Sequence, residues 1–188
     1  MDKRNIILED GGNAVASCPV IVSASRSTDI PAFYADWFFH RLQVGYSVWT
    51  NPFSKVRSYV SYKDTRFIVF WSKNPHPLLP YLDILRGKGI GCYIQYTLND
   101  YELERLETGV PPLVERIDTF KKLATRLGKE AVIWRFDPML LTGNLSLDGL
   151  LDKVERIGDQ LKGYTDKMVF SYADIANYRK VKSNLDKS

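Results

Sequence analysis

The sequence predicts an α/β protein, a partial (β/α) barrel, TIM-barrel-like, of about six parallel strand–helix units. Three observations lead there. Short apolar runs alternate with amphipathic stretches at helical spacing, the pattern of parallel strands joined by right-handed crossovers. Four of the runs, Pro19–Ser23, Phe67–Trp71, Ala131–Trp134 and Lys167–Phe170, end directly in a polar cluster. Finally, six units within roughly 165 residues match neither a minimal doubly wound fold nor an eight-fold barrel of about 250 residues.

Taken in order, residues 1–18 read as an N-terminal leader with a short edge strand at Asn5–Leu8, broken by Gly11-Gly12-Asn13. Residues 19–188 read as one partial-barrel domain. Pro19–Ser23 is the first buried strand. Pro31 suits the first turn of a helix, and Phe33, Trp37, Phe38 and Leu42 give that helix an apolar face. Gly45–Trp49 reads as the second strand, Asn51-Pro52-Phe53 as a turn, and the alternating Val56–Tyr62 as a hairpin arm. Thr65–Trp71 is the third strand, Pro77–Arg86 a short helix, and Gly91–Leu98 the fourth strand. After a polar excursion at Asn99–Val110, Pro111-Pro112 opens a long helix that Gly128 stops. Ala131–Phe136 is the fifth strand. Ser146 caps a helix running to about Leu161, and Lys167–Tyr172 is the sixth strand, followed by a basic helical tail.

Ligands of parallel α/β folds bind at the carboxyl ends of the strands, so the polar clusters define the candidate site. After the first strand stand Ser25, Arg26, Thr28 and Asp29. Hydroxyls and amides there suit a phosphate or carboxylate, and Arg26 adds a bidentate clamp. Alternatively, Thr28 or Asp29 caps the helix and Arg26 pairs with Asp29. After the third strand, Lys73 is an anion contact or a proton carrier, and Asn74 a substrate contact. The other reading of Asn74-Pro75 is a turn. Gln95 binds a polar group of the ligand or satisfies a backbone amide. Arg135 and Asp137 share one face of their strand. Arg135 then binds substrate, with Asp137 as a base, or the two form a structural ion pair. Trp71 and Trp134 either stack on a ring or pack. The catalytic candidates are Lys73, Asp137 and Asp29. The substrate-binding candidates are Ser25, Arg26, Thr28, Asn74, Gln95 and Arg135.

Composition narrows the function classes. The 188 residues are 45% hydrophobic and 13% aromatic, with net charge +4. That balance accommodates an anionic ligand. The basic residues are scattered, so a nucleic-acid partner is not expected. Two distant cysteines, Cys18 and Cys92, make no disulfide framework or metal-type spacing. His40 and His76 stand alone, and no metal site is expected. No run approaches the ~18 apolar residues of a membrane span, and the start lacks the apolar core of a signal peptide. The expectation is a cytoplasmic protein without a membrane partner. No phosphate-binding loop, nucleophile elbow or dinucleotide fingerprint occurs.

Several ordered segments carry a family resemblance. Val22-Ser23-Ala24-Ser25-Arg26-Ser27-Thr28-Asp29-Ile30-Pro31-Ala32-Phe33-Tyr34 is similar to the opening signature of the bacterial domain of unknown function 1848 family. Asn51-Pro52-Phe53, Phe70-Trp71-Ser72-Lys73-Asn74-Pro75 and Gln95-Tyr96-Thr97-Leu98-Asn99 match it further, as do Val110-Pro111-Pro112-Leu113 and Val132-Ile133-Trp134-Arg135-Phe136-Asp137-Pro138. The resemblance implies architecture more than activity. Longer members resemble radical S-adenosylmethionine proteins in a cysteine-rich C-terminal part, which implies an iron–sulfur cluster and S-adenosylmethionine in those relatives. This chain ends at Ser188 without the cysteine triplet, so no cofactor is expected in it.

Two readings follow. One is an enzyme-like barrel domain with a polar pocket for a small anionic molecule at the strand C-terminal ends. The other is a non-catalytic module that binds a ligand or partner, self-associating through the open barrel side.

Overall fold

The computed structural model describes residues 2–25, 27–51 and 53–172. The chain divides into two units, Met1–Tyr96 and Thr97–Ser188. The first contains β1 (Lys3–Ile7), β2 (Asn13–Ser17), β3 (Ile21–Ala24), α1 (Ile30–Phe33), α2 (Ala35–Val44), β4 (Tyr46–Thr50), β5 (Arg57–Ser61), β6 (Phe67–Ser72), a 3-10 turn at His76–Tyr81, α3 (Leu82–Gly87) and β7 (Gly91–Thr97). The second contains α4 (Leu113–Leu127), β8 (Val132–Met139), α5 (Leu147–Leu161) and β9 (Met168–Tyr172).

In the first unit β3, β6 and β7 lie side by side and parallel, with Ile21 opposite Phe67 and Phe67 opposite Gly91. Ile68, Phe70, Ile94 and Tyr96 are each 0% exposed, as expected of parallel strands covered on both faces. Gly91 is required by close approach, because a Cβ there would stand 2.7 Å from the Phe67 ring. Against these strands α2 buries Ala35, Phe38, Phe39 and Leu42, the i, i+3, i+4, i+7 set. Phe38 meets Phe39, Tyr62 and Phe70 edge-on at 5.6–5.9 Å between centroids. Gly45 ends α2 in the left-handed region at φ 96°.

The six-unit expectation is corrected at its second strand. β4 does not join the parallel set. It pairs antiparallel with β5, with Val48 opposite Tyr59, in a second sheet of order β1-β2-β5-β4. The reason is the connection. Residues 51–56 are too few for a parallel crossover, which needs a dozen or more, but suffice for a hairpin. Among the described residues five parallel strands therefore remain, three in the first unit and two in the second, in a sheet that is not closed into a barrel. Residues 3–17, expected as a leader, form an antiparallel hairpin whose β2 pairs parallel with β5 through Ala16 and Tyr59.

The helix expected after β3 is also two helices. It breaks at Tyr34 (φ −137°), which shifts the buried face by one residue. Phe33 and Trp37, expected inside, are 71% and 44% exposed, and Phe39 takes the core position.

In the second unit β8 and β9 are parallel, with Trp134 opposite Met168. Pro112 precedes α4 and Gly128 follows it. The Ser146 hydroxyl accepts from the Gly149 N–H at 3.2 Å and caps α5. Phe120, Leu123, Phe136, Leu150 and Ile157 form the core. The tail after Tyr172 lies outside the described residues.

Candidate functional site

In the first unit the carboxyl end of β3 opens into a cavity of about 410 Å³, within the range of small-molecule pockets. Its walls come from four places: the end of β3 with the turn that follows, α1 and α2, β4, and β5. Tyr34, Trp37 and Trp49 line it and remain 49%, 44% and 47% exposed. The break at Tyr34 turns Trp37 toward this space and away from the core. Ser25, Ser27 and Thr28 add hydroxyls at one side. The Ser25 hydroxyl donates to the Thr28 carbonyl at 3.0 Å, and accepts from the Thr28 N–H at 3.3 Å, so it fixes the turn it belongs to.

Deeper in the same cavity Tyr62 donates to Ser47 at 2.8 Å. Both are buried, at 7% and 8% exposure. Burial raises the Tyr62 pKa above the usual phenol value, against the lowering effects of Ser47 and Arg41. Two hydroxyls sharing one hydrogen bond hold a second proton, whichever donates to the other. The Ser47–Tyr62 pair therefore has one donor left for an acceptor in the cavity, and it is a donor that water reaches poorly.

Asp29 stands beside this cavity and is occupied by the backbone. One carboxylate oxygen accepts from the Ala32 N–H at 3.0 Å and caps α1, and the other accepts from the Lys73 N–H at 2.9 Å. The first and second polar clusters are thereby joined, through the Lys73 main chain. The Asn74 N–H donates to the Ser72 hydroxyl at 2.9 Å, which makes the turn expected of an Asn-Pro pair. Gln95 is half-buried on β7, opposite Trp71. Of the sequence-derived candidates in this unit, Ser25 and Thr28 line the cavity, while Asp29, Lys73, Asn74 and Gln95 are not among its lining residues. Arg26 lies outside the described residues.

In the second unit the end of β8 is a closed polar network. Arg135 and Asp137 form an ion pair, with side chains 15% and 17% exposed. The other Asp137 oxygen accepts from the Ser171 hydroxyl. Asn99, 0% exposed, accepts from the Asp137 N–H at 3.0 Å and donates to the Asp137 carbonyl at 3.2 Å. Tyr101 donates to the Pro138 carbonyl at 2.7 Å and accepts from the Leu140 N–H at 3.1 Å. Its burial pushes its pKa up to about 12. Trp134 is 4% exposed and donates to the Leu98 carbonyl at 2.9 Å, which is packing.

Charge from the two helices fastens the polar excursion. Arg116, 1% exposed, donates to the Asn99 carbonyl at 3.0 Å and lies 3.5 Å from Glu102. Lys153 donates to the Asp100 carbonyl at 2.8 Å and to Glu104 at 2.9 Å.

The chain's two cysteines are Cys18 and Cys92. Cys92 sits near the start of β7, away from the strand end where the polar residues are. Burial pushes its pKa up to about 11, which disfavours the thiolate a metal needs. Among the described residues no group of three His, Cys, Asp or Glu side chains is placed to hold a metal ion, and no helix is long and apolar enough to cross a membrane.

Neither a curated protein nor a solved structure matches the chain. One family model does, a domain of unknown function (DUF1848), over residues 21–188. That span takes in both the β3 turn with its cavity and the β8 network, and the chain belongs to this family.

Proposed function

We propose that the chain is an enzyme-like α/β domain that binds a small molecule in the cavity beside β3, at the carboxyl ends of parallel strands as in a partial (β/α) barrel. The observation that carries this reading is the buried Ser47–Tyr62 pair facing a cavity walled by exposed tryptophans. A buried donor without an acceptor is costly, and an acceptor on a ligand satisfies it. Trp37, Trp49 and Tyr34 suit a flat apolar body, because aromatic faces stack on rings. Ser25 and Thr28 suit a polar or anionic group on the same ligand, and Arg26 lies between two lining residues in the chain.

Tryptophan emission tests the proposal directly. Adenosine, adenosine monophosphate, S-adenosylmethionine and benzoate are trial ligands. Binding should change the emission saturably, and Trp37→Ala should remove most of that change. Ser47→Ala should weaken the same ligand by about 1–1.5 kcal/mol, roughly tenfold. Unaltered affinity in both variants would place the ligand elsewhere.

A non-catalytic binding module is the second reading. It is favoured by the engagement of both candidate acids, Asp29 by two backbone amides and Asp137 by Arg135 and Ser171.

A further inference from the structure

The first unit has a second cavity, of about 390 Å³, at the opposite end of its parallel strands. It lies where β6 and β7 begin, and Lys63, Arg66 and Lys88 line it together with Gln43, Tyr62 and Thr65. No acidic residue is among its lining residues. Nearby carboxylates are taken: Asp64 pairs with Arg4 at 3.0 Å and Glu9 with Arg41 at 2.6 Å. Among the described residues the side chains of Lys63, Arg66 and Lys88 make no ion pair or hydrogen bond.

The backbone beneath these cations is fixed. Thr65 N–H donates to the Tyr62 carbonyl at 3.1 Å, closing the turn that carries Lys63. Arg66 is tied on both sides, its N–H to the Val20 carbonyl at 2.8 Å and its carbonyl to the Gly91 N–H at 2.9 Å. Lys88 N–H donates to the Ile84 carbonyl at 3.1 Å, and Ile90 N–H to the Leu85 carbonyl at 3.0 Å. Three like charges are thus held around one concavity by strand starts and tight turns. All three side chains are exposed, so water and salt screen part of their repulsion, and a bound anion relieves it further.

We propose that this concavity is a second binding site, for a small phosphate-bearing anion. Arg66 supplies a planar fork for two phosphate oxygens, and Lys63 and Lys88 add point charges. The size of the cavity fits a small molecule. A nucleic-acid backbone would call for a basic stripe running over a face, not three cations turned into one hollow. The two cavities share Tyr62, but none of the three cations lines the β3 cavity, and the site does not rest on the ligand proposed there.

Calorimetry on the full chain tests it, with inorganic phosphate, pyrophosphate and adenosine diphosphate as probes and chloride matching the ionic strength. Pyrophosphate should give a saturable one-to-one heat, with free phosphate weaker. Equal affinity for adenosine diphosphate would identify a diphosphate group as the recognised element. The variant Lys63→Ala/Arg66→Ala/Lys88→Ala should lose at least a hundredfold, Arg66→Lys only part of that, and Lys122→Ala, an exposed cation on α4, nothing. All three side chains of the cationic set are exposed, and thermal melting reports that the fold persists. No saturable heat with any probe, or unchanged affinity in the triple variant, would overturn the proposal. So would tight binding of a single-stranded RNA oligomer in the absence of pyrophosphate binding.

Discussion

At the carboxyl ends of β3 and β6 a carboxylate, Asp29, sits between two backbone amides, beside a cavity of tryptophan rings and hydroxyls. At the amino ends of β6 and β7 three cations face a hollow without an acid in its lining. The difference separates two uses of charge. Where a charged side chain meets fixed partners, it holds the chain in place, and its removal shows as lost stability. Where charges of one sign are gathered without partners, they add nothing to the fold and are available to a ligand. The β8 end of the second unit belongs with the first kind, since Arg135, Asp137, Arg116 and Lys153 all have partners within the unit.

Lys153→Met should give the largest effect on this view. It would leave Glu104, 9% exposed in its side chain, without its counter-charge. Breaking a buried pair from one side costs about 3–5 kcal/mol, read as a shift in the denaturant midpoint. The double variant Lys153→Met/Glu104→Leu should recover a large part of it. If the single change proved neutral, partnered charge would not be what holds this unit.

Asp29→Ala comes next. It removes a helix cap and orphans the Lys73 N–H, for a loss of about 1–2 kcal/mol. Asp29→Asn keeps one acceptor and should lose less. A stable Asp29→Ala protein that no longer binds a ligand in the β3 cavity would move Asp29 from the first use of charge to the second.

The smallest expected effect is that of Lys63→Ala/Arg66→Ala/Lys88→Ala on stability, within about 0.5 kcal/mol as for surface changes generally. Low salt should favour the variant slightly, because repulsion among the three is then least screened. A loss comparable to that of Asp29→Ala would mean that the cations hold the fold after all, and the contrast between the two strand ends would fail.

The strands of the parallel set were legible in the sequence because their apolar, β-branched runs are local signals. Residues 21–24, 67–72, 91–97, 132–139 and 168–172 all carry them. What a strand pairs with is not written in its own residues. The stretch 46–50 looks like the others, and only the short link to β5 tells that it turns back. The site was legible in part for the same reason. Ser25 and Thr28 follow a strand and are found by position. The spacing of Trp37 fits the core face of one continuous helix, and the break at Tyr34 undoes that spacing. Ser47 and Tyr62 meet only when β4 and the end of β5 bring them together across 15 residues. Lys153 reaches Glu104 across 49 residues, and nothing near either announces the other.

The kinship of this chain and its folding have different boundaries. The family match begins at residue 21, yet β2 ends at Ser17 and is hydrogen-bonded to β5, placing Ser17 opposite Val60, a wall of the β3 cavity. The turn between β1 and β2 is anchored as well, since Glu9 meets Arg41 of α2 and its N–H donates to the Tyr46 hydroxyl at 3.1 Å. A protein trimmed to the matched segment would turn β5 into a bare edge, open to pairing with a neighbour, and would uncover Tyr59 and Val60 next to the pocket. The opening hairpin is therefore a protective hem for the strand beside the β3 cavity, stitched on outside the part of the sequence that the family model matches.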